Sequence, residues 1–476
     1  MSKRRSTGLS ILAAVARHVA SGLAGFVTIP LVAYALGANG VAAWALIGTA
    51  AFALGLSDLG LSVAVQRAAT QKGDAEVHEA VRAATSSVAL IAPVLAFASY
   101  TWMLDFDNAP TALREDAAVA GVVALSGGVV MAYGFPFRSL AVVRGALGSL
   151  AAARALAALV QVVVTSLLLW WRASLLGPAI GLAVASVVET VSLIVVARRV
   201  DPRVPLVPRI PSWARAQSLF HEGAPSVVVN LAAVLAMRFD IVILSRVAPL
   251  AAVAAYGVAF RAVDQSFTLA KQASTALMPR LAKSAERAAA IKLGTIVVGG
   301  LVASGMAALA TRGHPLLRAW AGEAAMHPQM AAAVALLGGA AVVAAGHEVM
   351  ASAVTLGGRS AWDAAVPLSL GYAVNLAISL AGASRFGILA VAGGTLIGNI
   401  VTGALVWKRG RALLGWDPSA VGRLLTPVAI AGLCACTVGL ALGALPVDSA
   451  LGSIVSCTVA MAAGLAALAL VRRKLA

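Results

Sequence analysis

Seven charged residues lie inside long apolar stretches of this sequence, where charge is costly. They are Arg17, Asp58, Arg238, Arg261, Asp264, Lys271 and Glu348. A charge at the centre of a membrane-spanning helix costs roughly 2.5–3.5 kcal/mol on insertion scales. Such residues usually face a water-filled cavity or a partner of opposite charge, where they can bind a charged substrate or carry a coupling ion. They are therefore the first candidates for a functional site.

The strongest pattern lies between residues 250 and 281, where polar residues recur at steps of three and four. They are Arg261, Asp264, Gln265, Thr268, Lys271, Gln272 and Thr275. On an α-helix this spacing forms one polar face about 20 Å long. This polar face has two possible interpretations. It either lines a cavity or is satisfied internally by an Arg261–Asp264 ion pair. The ion pair does not explain why Lys271 lies on the same face.

The other intramembrane charges have weaker patterns. Arg17 lies about ten residues into the first apolar stretch, so it either faces a cavity or extends to the inner headgroups. For Asp58 we favour a structural role as the partner of an intramembrane arginine. Arg238 and Asp240 are two residues apart and point to different faces of a helix, so they do not serve one site directly.

Glu348 and one further acidic residue, Glu189, lie in other apolar stretches. Glu348 and the adjacent His347 are a separate pair of polar residues in the stretch 328–356. Glu189 lies near the inner end of the stretch 174–198, and we interpret it as interfacial. Asp58, Asp264 and Glu348 are the candidates for a coupling or structural charge.

Motifs for nucleotide hydrolysis, serine or zinc hydrolysis and paired-cysteine chemistry do not occur in the sequence. Cys434, Cys436 and Cys457 lie in the last two apolar stretches, and we interpret them as small buried residues rather than metal or redox ligands. The sequence therefore predicts a protein that is not an enzyme, with no cofactor and no metal site.

The composition indicates how these residues are held. Of 476 residues, 61% are hydrophobic and 12% charged, against about 25% charged in a soluble domain. The apolar stretches do not alternate and often exceed the length of a bilayer-spanning helix. We predict an all-α polytopic membrane protein with about 14 spans, at residues 8–36, 41–67, 79–104, 115–143, 148–171, 174–198, 221–247, 250–281, 288–311, 328–356, 362–384, 386–407, 423–444 and 449–471.

The distribution of positive charge predicts the orientation in the membrane. With the N-terminus inside, about 26 basic residues fall on the inner side and about 6 on the outer side. Both termini are therefore predicted to be cytoplasmic. The net charge of +17 follows the same alternation between short loops, which argues against nucleic acid as a partner.

A proline-rich segment divides the predicted spans. Pro202, Pro205, Pro208 and Pro211 recur every three residues, a spacing typical of a stiff polyproline II linker. The predicted organisation is a six-helix bundle at 1–198, a cytoplasmic linker at 199–220, a second six-helix bundle at 221–409 and two added helices at 410–476. Two joined halves of equal helix number suggest a duplicated transporter with pseudo-symmetric bundles.

Two segments of the sequence resemble a known family of exporters. The first half has a glycine-rich turn with Trp44, followed by Asp58, Gly60 and Leu61 and ending at Arg67. The second half has RFDIVILS from residue 238, the phrase from Tyr256 to Arg261, and ALMPRLAK from residue 276. These segments resemble the multidrug/oligosaccharidyl-lipid/polysaccharide (MOP) exporter superfamily, in its polysaccharide or O-antigen (Wzx-type) flippase branch.

The resemblance implies two six-helix bundles in a V shape around a central cavity. It also implies a lipid-linked substrate, commonly an undecaprenyl-pyrophosphate oligosaccharide, moved from the inner to the outer leaflet of the bacterial cytoplasmic membrane. Membrane lipids and the polymerase and export proteins of a polysaccharide pathway are then expected partners of a monomeric chain. Peptidoglycan lipid II flippases share this fold, and a multidrug antiporter or a non-transporting assembly scaffold are the further alternatives.

A pyrophosphate substrate gives the charged residues a role. The cations Arg17, Arg238, Arg261 and Lys271 are suited to its phosphate oxygens, because arginine can hold them bidentately. The amides of Gln265 and Gln272, with Asn230 and Asn375, are suited to sugar hydroxyls. These residues form the predicted binding site.

Overall fold

The computed structural model describes residues 2–58, 73–103, 111–208, 238–281, 283–358, 362–443 and 449–475, with scattered residues between these ranges, and N-terminal side chains from residue 24 onward. All regular structure in these ranges is helical, which confirms the all-α prediction. Eleven helical segments among the described residues are long and apolar enough to cross a membrane. The chain is therefore a multi-pass membrane protein, while the count of 14 stays a prediction.

The chain divides into two compact units, Met1–Val234 and Leu235–Ala476. We call them unit 1 and unit 2 and treat each by itself. The boundary lies on the C-terminal side of the predicted proline-rich linker. The finer four-part division, the pseudo-symmetry and the central cavity stay predictions.

Unit 1 is a bundle of long apolar helices. α3 and α5 both pack against α6, and α5 also contacts α1. The bounds are α1 Ser2–Ala53, followed by a 3-10 turn at Leu54–Asp58, α2 Asp74–Met103, α3 Thr111–Tyr133, α4 Phe135–Val143, α5 Leu147–Trp171 and α6 Leu176–Val200.

The break predicted between the first two spans occurs at Gly37, inside α1. Its backbone has φ 67° and ψ −168°, a conformation that essentially only glycine adopts. The chain is helical up to Gly37 and again directly after it, so the predicted spans 8–36 and 41–67 meet at a sharp kink. Pro30 lies about two turns before it and removes a further helical hydrogen bond.

The start of the proline-rich segment is bound to unit 1. Asp201 Oδ2 lies 2.8 Å from His78 Nε2, and the Tyr133 hydroxyl donates to the Leu206 carbonyl. Val204 is buried in the core formed with Phe137, among others. A turn at residues 201–204, closed by a 3.1 Å hydrogen bond, replaces a continuous polyproline II strut here. Pro211 lies outside the described residues.

Unit 2 contains the remaining helices. α12 and α13 pack along each other, α13 contacts α11, and α11 contacts α8 and α9. The two added helices, α14 and α15, pack on each other and on α9. The bounds are α7 Phe239–Val247, α8 Leu250–Leu281, α9 Ser284–Arg312, α10 His314–Ala321, a 3-10 turn at Gly322–Ala325, α11 Met330–Gly357, α12 Trp362–Phe386, α13 Ile388–Leu414, α14 Pro418–Gly443 and α15 Ala450–Leu475.

α12 and α13 approach each other most closely at a glycine, and this contact yields a stability prediction. A Cβ atom added at Gly371 would collide with Thr402 Oγ1 and lie 2.5 Å from the Gly398 carbonyl oxygen. We expect Gly371→Ala to destabilise the folded protein by about 1–3 kcal/mol, because overpacking forces the helices apart. The measurement is thermal unfolding of the purified chain in detergent.

The control is Gly393→Ala on α13, where an added Cβ meets no atom within 4 Å. It should be neutral or stabilise by up to about 1 kcal/mol, because alanine favours a helix interior more than glycine does. Equal melting temperatures for the two variants would contradict the close contact.

Candidate functional site

The predicted polar face is present on α8, a helix of 32 residues. Gln265, Thr268 and Gln272 are half-buried and Lys271 is exposed, whereas Val263 and Ala270 on the opposite side are buried. Although α8 is long enough to span a bilayer, it is not among the eleven apolar segments. The described part of unit 2 therefore offers one polar helix face within an apolar bundle.

Asp264 pairs with two arginines. Its Oδ2 lies 3.3 Å from Arg261 Nη1 and 3.6 Å from Arg238 Nη2. The Asp264 and Arg238 side chains are 13% and 15% exposed, and Arg261 is 34% exposed. We call these three residues the arginine cluster. The predicted i,i+3 ion pair is therefore present, yet two cations share one anion, so the cluster keeps a net positive charge.

Aromatic stacking holds Arg238 in place. Arg238 precedes the first residue of α7, and its guanidinium carbon lies 5.0 Å from the centroid of the Phe260 ring on α8. Phe260 in turn stacks on Tyr256 with centroids 6.2 Å apart. A cation over an aromatic face is stabilised by about 0.5–2 kcal/mol. Arg238 is thus fixed, whereas Arg261 is the more accessible cation of the cluster.

Asp240 belongs to a separate buried group, as expected from its spacing to Arg238. The carboxylate is fully buried and accepts hydrogen bonds from the hydroxyls of Tyr256 at 2.8 Å, Ser379 at 3.1 Å and Thr395 at 3.2 Å. These contacts join α7 to α8, α12 and α13. Because hydroxyls both donate and accept, they can satisfy the carboxylate in either protonation state.

Sequence reasoning missed this group as a functional unit. Asn375, predicted to contact sugar hydroxyls, is buried beside it, with its Oδ1 3.3 Å from Ser379 Oγ. The available signal was the presence of Ser379 and Thr395 inside apolar helices. Asn375 and Asn399 lie four residues from them, and every other polar residue is at least five residues away. Among the described residues, no group of three or more His, Cys, Asp or Glu side chains could hold a metal ion.

Glu348 and Lys271 form a second group of charged residues in unit 2. Glu348 on α11 interacts electrostatically with Lys271 on α8 and with Tyr372 on α12. The structure thus gives Lys271, which an Arg261–Asp264 pair left unexplained, an acidic neighbour on another helix. Gln265 and Gln272 lie along α8 between or beside the two groups.

In unit 1, Asp58 lies in a polar network, and its structural role stays a prediction. It is buried and accepts hydrogen bonds from the Ser62 amide at 3.1 Å and the Ser62 hydroxyl at 2.7 Å. It also interacts electrostatically with Arg138 on α4. Arg138 lies over the Phe135 ring at 4.9 Å.

Glu189 is buried in unit 1, and its interfacial depth in the membrane stays a prediction. Its side chain is 8% exposed within α6 and forms an ion pair with Arg154 on α5. Arg138 interacts electrostatically with Glu189, Asp58 and Arg154. Asp58, Arg138, Arg154 and Glu189 therefore make up one four-charge cluster with two acids and two bases, whose net charge is zero.

The structure thus separates the predicted site residues into groups. Arg238, Arg261 and Asp264 come together, Lys271 lies near Glu348, and Asp58 lies in the other unit within a balanced network. The side chain of Arg17, and Asn230, lie outside the described residues. The arginine cluster is the candidate site, because it is polar, accessible through Arg261 and unbalanced in charge.

Comparisons with known proteins agree with the fold. A family model described as polysaccharide biosynthesis protein matches residues 9–285. The search of curated proteins gives no match. Among solved structures, the lipid II flippase MurJ in an inward closed conformation has a TM-score of 0.74 at 13% identity, covering 98% of this chain and 99% of that one.

Multidrug transporters of the MATE family share the fold as well. The Vibrio cholerae MATE transporter VcmN in a bent form has a TM-score of 0.58 at 17% identity, covering 86% of this chain and 98% of its own. An inward-facing MATE transporter of the MOP superfamily has a TM-score of 0.61 at 16% identity, covering 86% and 99%. At these identities the likeness concerns the fold. The family model spans more than half of the sequence, and the chain belongs to the polysaccharide biosynthesis protein family of the MOP exporter superfamily.

Proposed function

We propose that this chain is a Wzx-type flippase. It moves an undecaprenyl-pyrophosphate oligosaccharide from the inner to the outer leaflet of a bacterial cytoplasmic membrane, for O-antigen or exopolysaccharide synthesis. The observation that carries the proposal is the arginine cluster, where Arg238 and Arg261 both pair with the carboxylate of Asp264, in a chain of the polysaccharide biosynthesis protein family. Both chain termini lie in the cytoplasm, on the side favoured by the distribution of basic residues.

The charge of the substrate explains why such a cluster is needed. The phosphate oxygens of the pyrophosphate cannot enter hydrocarbon without a counter-charge. Arg261 and Arg238 supply it, and Lys271 extends the positive surface along α8. The amides of Gln265 and Gln272, half-buried on the same helix, donate to sugar hydroxyls.

The membrane potential supports the direction of transport. With the interior negative, outward movement of two negative charges is favoured by roughly 4–5 kcal/mol per 100 mV. The arginines offset this charge while the substrate is bound, and the unloaded cationic cluster is drawn back inward by the same field. Asp58, Asp264 and Glu348 act as structural or coupling charges.

In this mechanism the Asp264 carboxylate occupies the place of a phosphate oxygen. Its Oδ2 alone contacts both guanidinium groups, at 3.3 Å and 3.6 Å. An arriving phosphate competes for the same donors, so Asp264 keeps the arginines paired before binding and helps release the substrate afterwards.

Neutralising this carboxylate yields a testable result. We expect Asp264→Asn to bind undecaprenyl pyrophosphate about tenfold more tightly and to transport more slowly, because the competing anion is gone. The measurement is affinity for that lipid in detergent with the purified full chain, followed by the transport rate in cells.

The matched control is Asp417→Asn in the α13–α14 loop. Hydrogen bonds from the Ser419 hydroxyl and the Ala420 amide lower the pKa of Asp417, so this carboxylate is charged, and asparagine preserves the helix cap. It should leave affinity unchanged. Weaker or equal binding by Asp264→Asn would contradict the competition.

Depletion of the protein tests the function itself. We expect a lipid-linked O-antigen or exopolysaccharide repeat unit to accumulate on the inner leaflet. Accumulation of lipid II instead would favour the peptidoglycan branch, a second candidate suggested by the fold likeness to the lipid II flippase. Normal polymer secretion without either precursor would reject both and leave the multidrug antiporter, favoured by the MATE-like fold, or an assembly scaffold.

A further inference from the structure

A cavity lies on unit 2 at the inner ends of α12 and α13, among residues that the arginine cluster does not include. Its volume is about 350 Å³, and its lining is mostly apolar. Val366, Pro367 and Leu370 line it from α12, and Leu405, Lys408, Arg409 and Ala412 line it from α13. A mostly apolar cavity whose lining includes two cations therefore lies between neighbouring helices.

The backbone explains why space exists here. One turn further along α12, Gly371 brings the two helices into close contact at Gly398 and Thr402. Pro367 lies inside α12. It has no backbone N–H for the helical hydrogen bond, and its ring clashes with the carbonyl of the preceding turn. Val366 and Leu370 beside it are 45% and 49% exposed, so the wall of the cavity is open to its surroundings.

The charges around the cavity do not balance. Lys408 and Arg409 are both exposed, and the acidic neighbour recorded for Arg409 is Asp363, with Oδ1 at 4.0 Å from Nη1. At that distance, and with the Arg409 side chain 59% exposed, the pair contributes at most about 1 kcal/mol. The three residues leave a net positive charge beside apolar walls.

Nearby residues indicate the depth of the cavity in the membrane. Trp362, the first residue of α12, is 43% exposed, as is typical of tryptophan at the headgroup level. Lys408 and Arg409 belong to the side that the positive-inside count assigns to the cytoplasm. Basic pockets between transmembrane helices on that side suit anionic lipid headgroups.

We propose that this cavity binds an anionic phospholipid of the inner leaflet. The headgroup phosphate contacts Lys408 and Arg409, and one acyl chain lies along Val366, Leu370 and Leu405. This lipid is distinct from the transported substrate, which binds at the arginine cluster, so the proposal goes beyond the proposed function and can fail without it.

Native mass spectrometry of the purified, delipidated full chain tests the site. The probes are phosphatidylglycerol and phosphatidylcholine with identical acyl chains. We expect wild-type protein to retain phosphatidylglycerol in preference, and Lys408→Gln/Arg409→Gln to bind it about tenfold more weakly. The control, Arg411→Gln/Arg423→Gln, removes the same charge from the same predicted side and should keep the wild-type preference.

A second variant tests the apolar part of the cavity. Ala412→Trp keeps both cations and fills the cavity, so it should lose phosphatidylglycerol while affinity for glycerol phosphate stays unchanged. Equal retention of the two lipids by wild type would overturn the proposal. So would an unchanged preference in Lys408→Gln/Arg409→Gln, or an equal loss in the control pair, which would indicate a general charge effect.

Discussion

Replacing Arg261 by alanine is expected to lower transport by about 10–100-fold while the protein reaches the membrane in normal amounts. A hydrogen bond to a charged group contributes roughly 1.5–3 kcal/mol, and each 1.4 kcal/mol corresponds to a factor of ten. Arg261 is the more exposed cation of the arginine cluster, so its loss removes a phosphate contact. The measurement is the rate at which the lipid-linked repeat unit reaches the outer leaflet in cells lacking the wild-type protein.

The fold should tolerate this change because of how Asp264 is paired. Without Arg261, Asp264 retains Arg238, whose guanidinium stacks on Phe260. The buried carboxylate therefore keeps a counter-charge, and the cluster becomes neutral rather than unpaired. Loss of a phosphate contact, and not misfolding, is then the cause of the defect.

Two further variants make the result specific. Arg261→Lys keeps the charge but not the bidentate fork, so we expect an intermediate rate. Arg385→Ala removes an exposed arginine from the end of α12 in the same unit and should transport as wild type does. Wild-type transport by Arg261→Ala would reject the arginine cluster as the substrate site.

The four-charge cluster of unit 1 should control stability instead. We expect Glu189→Leu to destabilise the protein by about 2–3 kcal/mol, below the cost of breaking a fully buried pair because the Arg154 side chain is 28% exposed. It removes the carboxylate that forms an ion pair with Arg154 and interacts electrostatically with Arg138. Thermal unfolding in detergent and the amount of protein in the membrane measure the effect.

A double variant shows whether the instability of Glu189→Leu comes from an unpaired charge or from lost packing. Arg154→Leu/Glu189→Leu removes both members of the pair, and we expect it to recover most of the lost stability, because a buried ion pair replaced by apolar residues is often neutral. If the double variant is as unstable as Glu189→Leu, the pair is not the source of the effect.

An exposed pair in the same unit is the control. Arg144 Nη2 lies 2.5 Å from Asp74 Oδ1, and the Asp74 side chain is 74% exposed. Arg144→Leu should therefore cost about 1 kcal/mol or less, since solvent screens surface ion pairs. A cost equal to that of Glu189→Leu would show that burial does not distinguish the two pairs.

The sequence by itself determined the class of fold and the position of the main polar helix. Long apolar stretches predict helices because a bilayer leaves no other way to satisfy the backbone of a span. Gly37 was predicted to interrupt the first stretch, and the helix is kinked there. The spacing of Arg261 and Asp264 placed both on one face of α8, because helical periodicity depends on sequence distance alone.

Only the tertiary structure decided which charges meet. Arg154 and Glu189 are 35 positions apart, and Arg238 and Asp264 lie on different helices, so no periodicity relates them. Asp240 likewise finds its three hydroxyl partners on α8, α12 and α13. Such contacts depend on how helices are rotated and stacked, which is set by side-chain packing across the whole bundle. Residues close together along one helix could be predicted. The pairing between helices could not, although it makes the four-charge cluster of unit 1 neutral and gives the three residues of the arginine cluster a net positive charge.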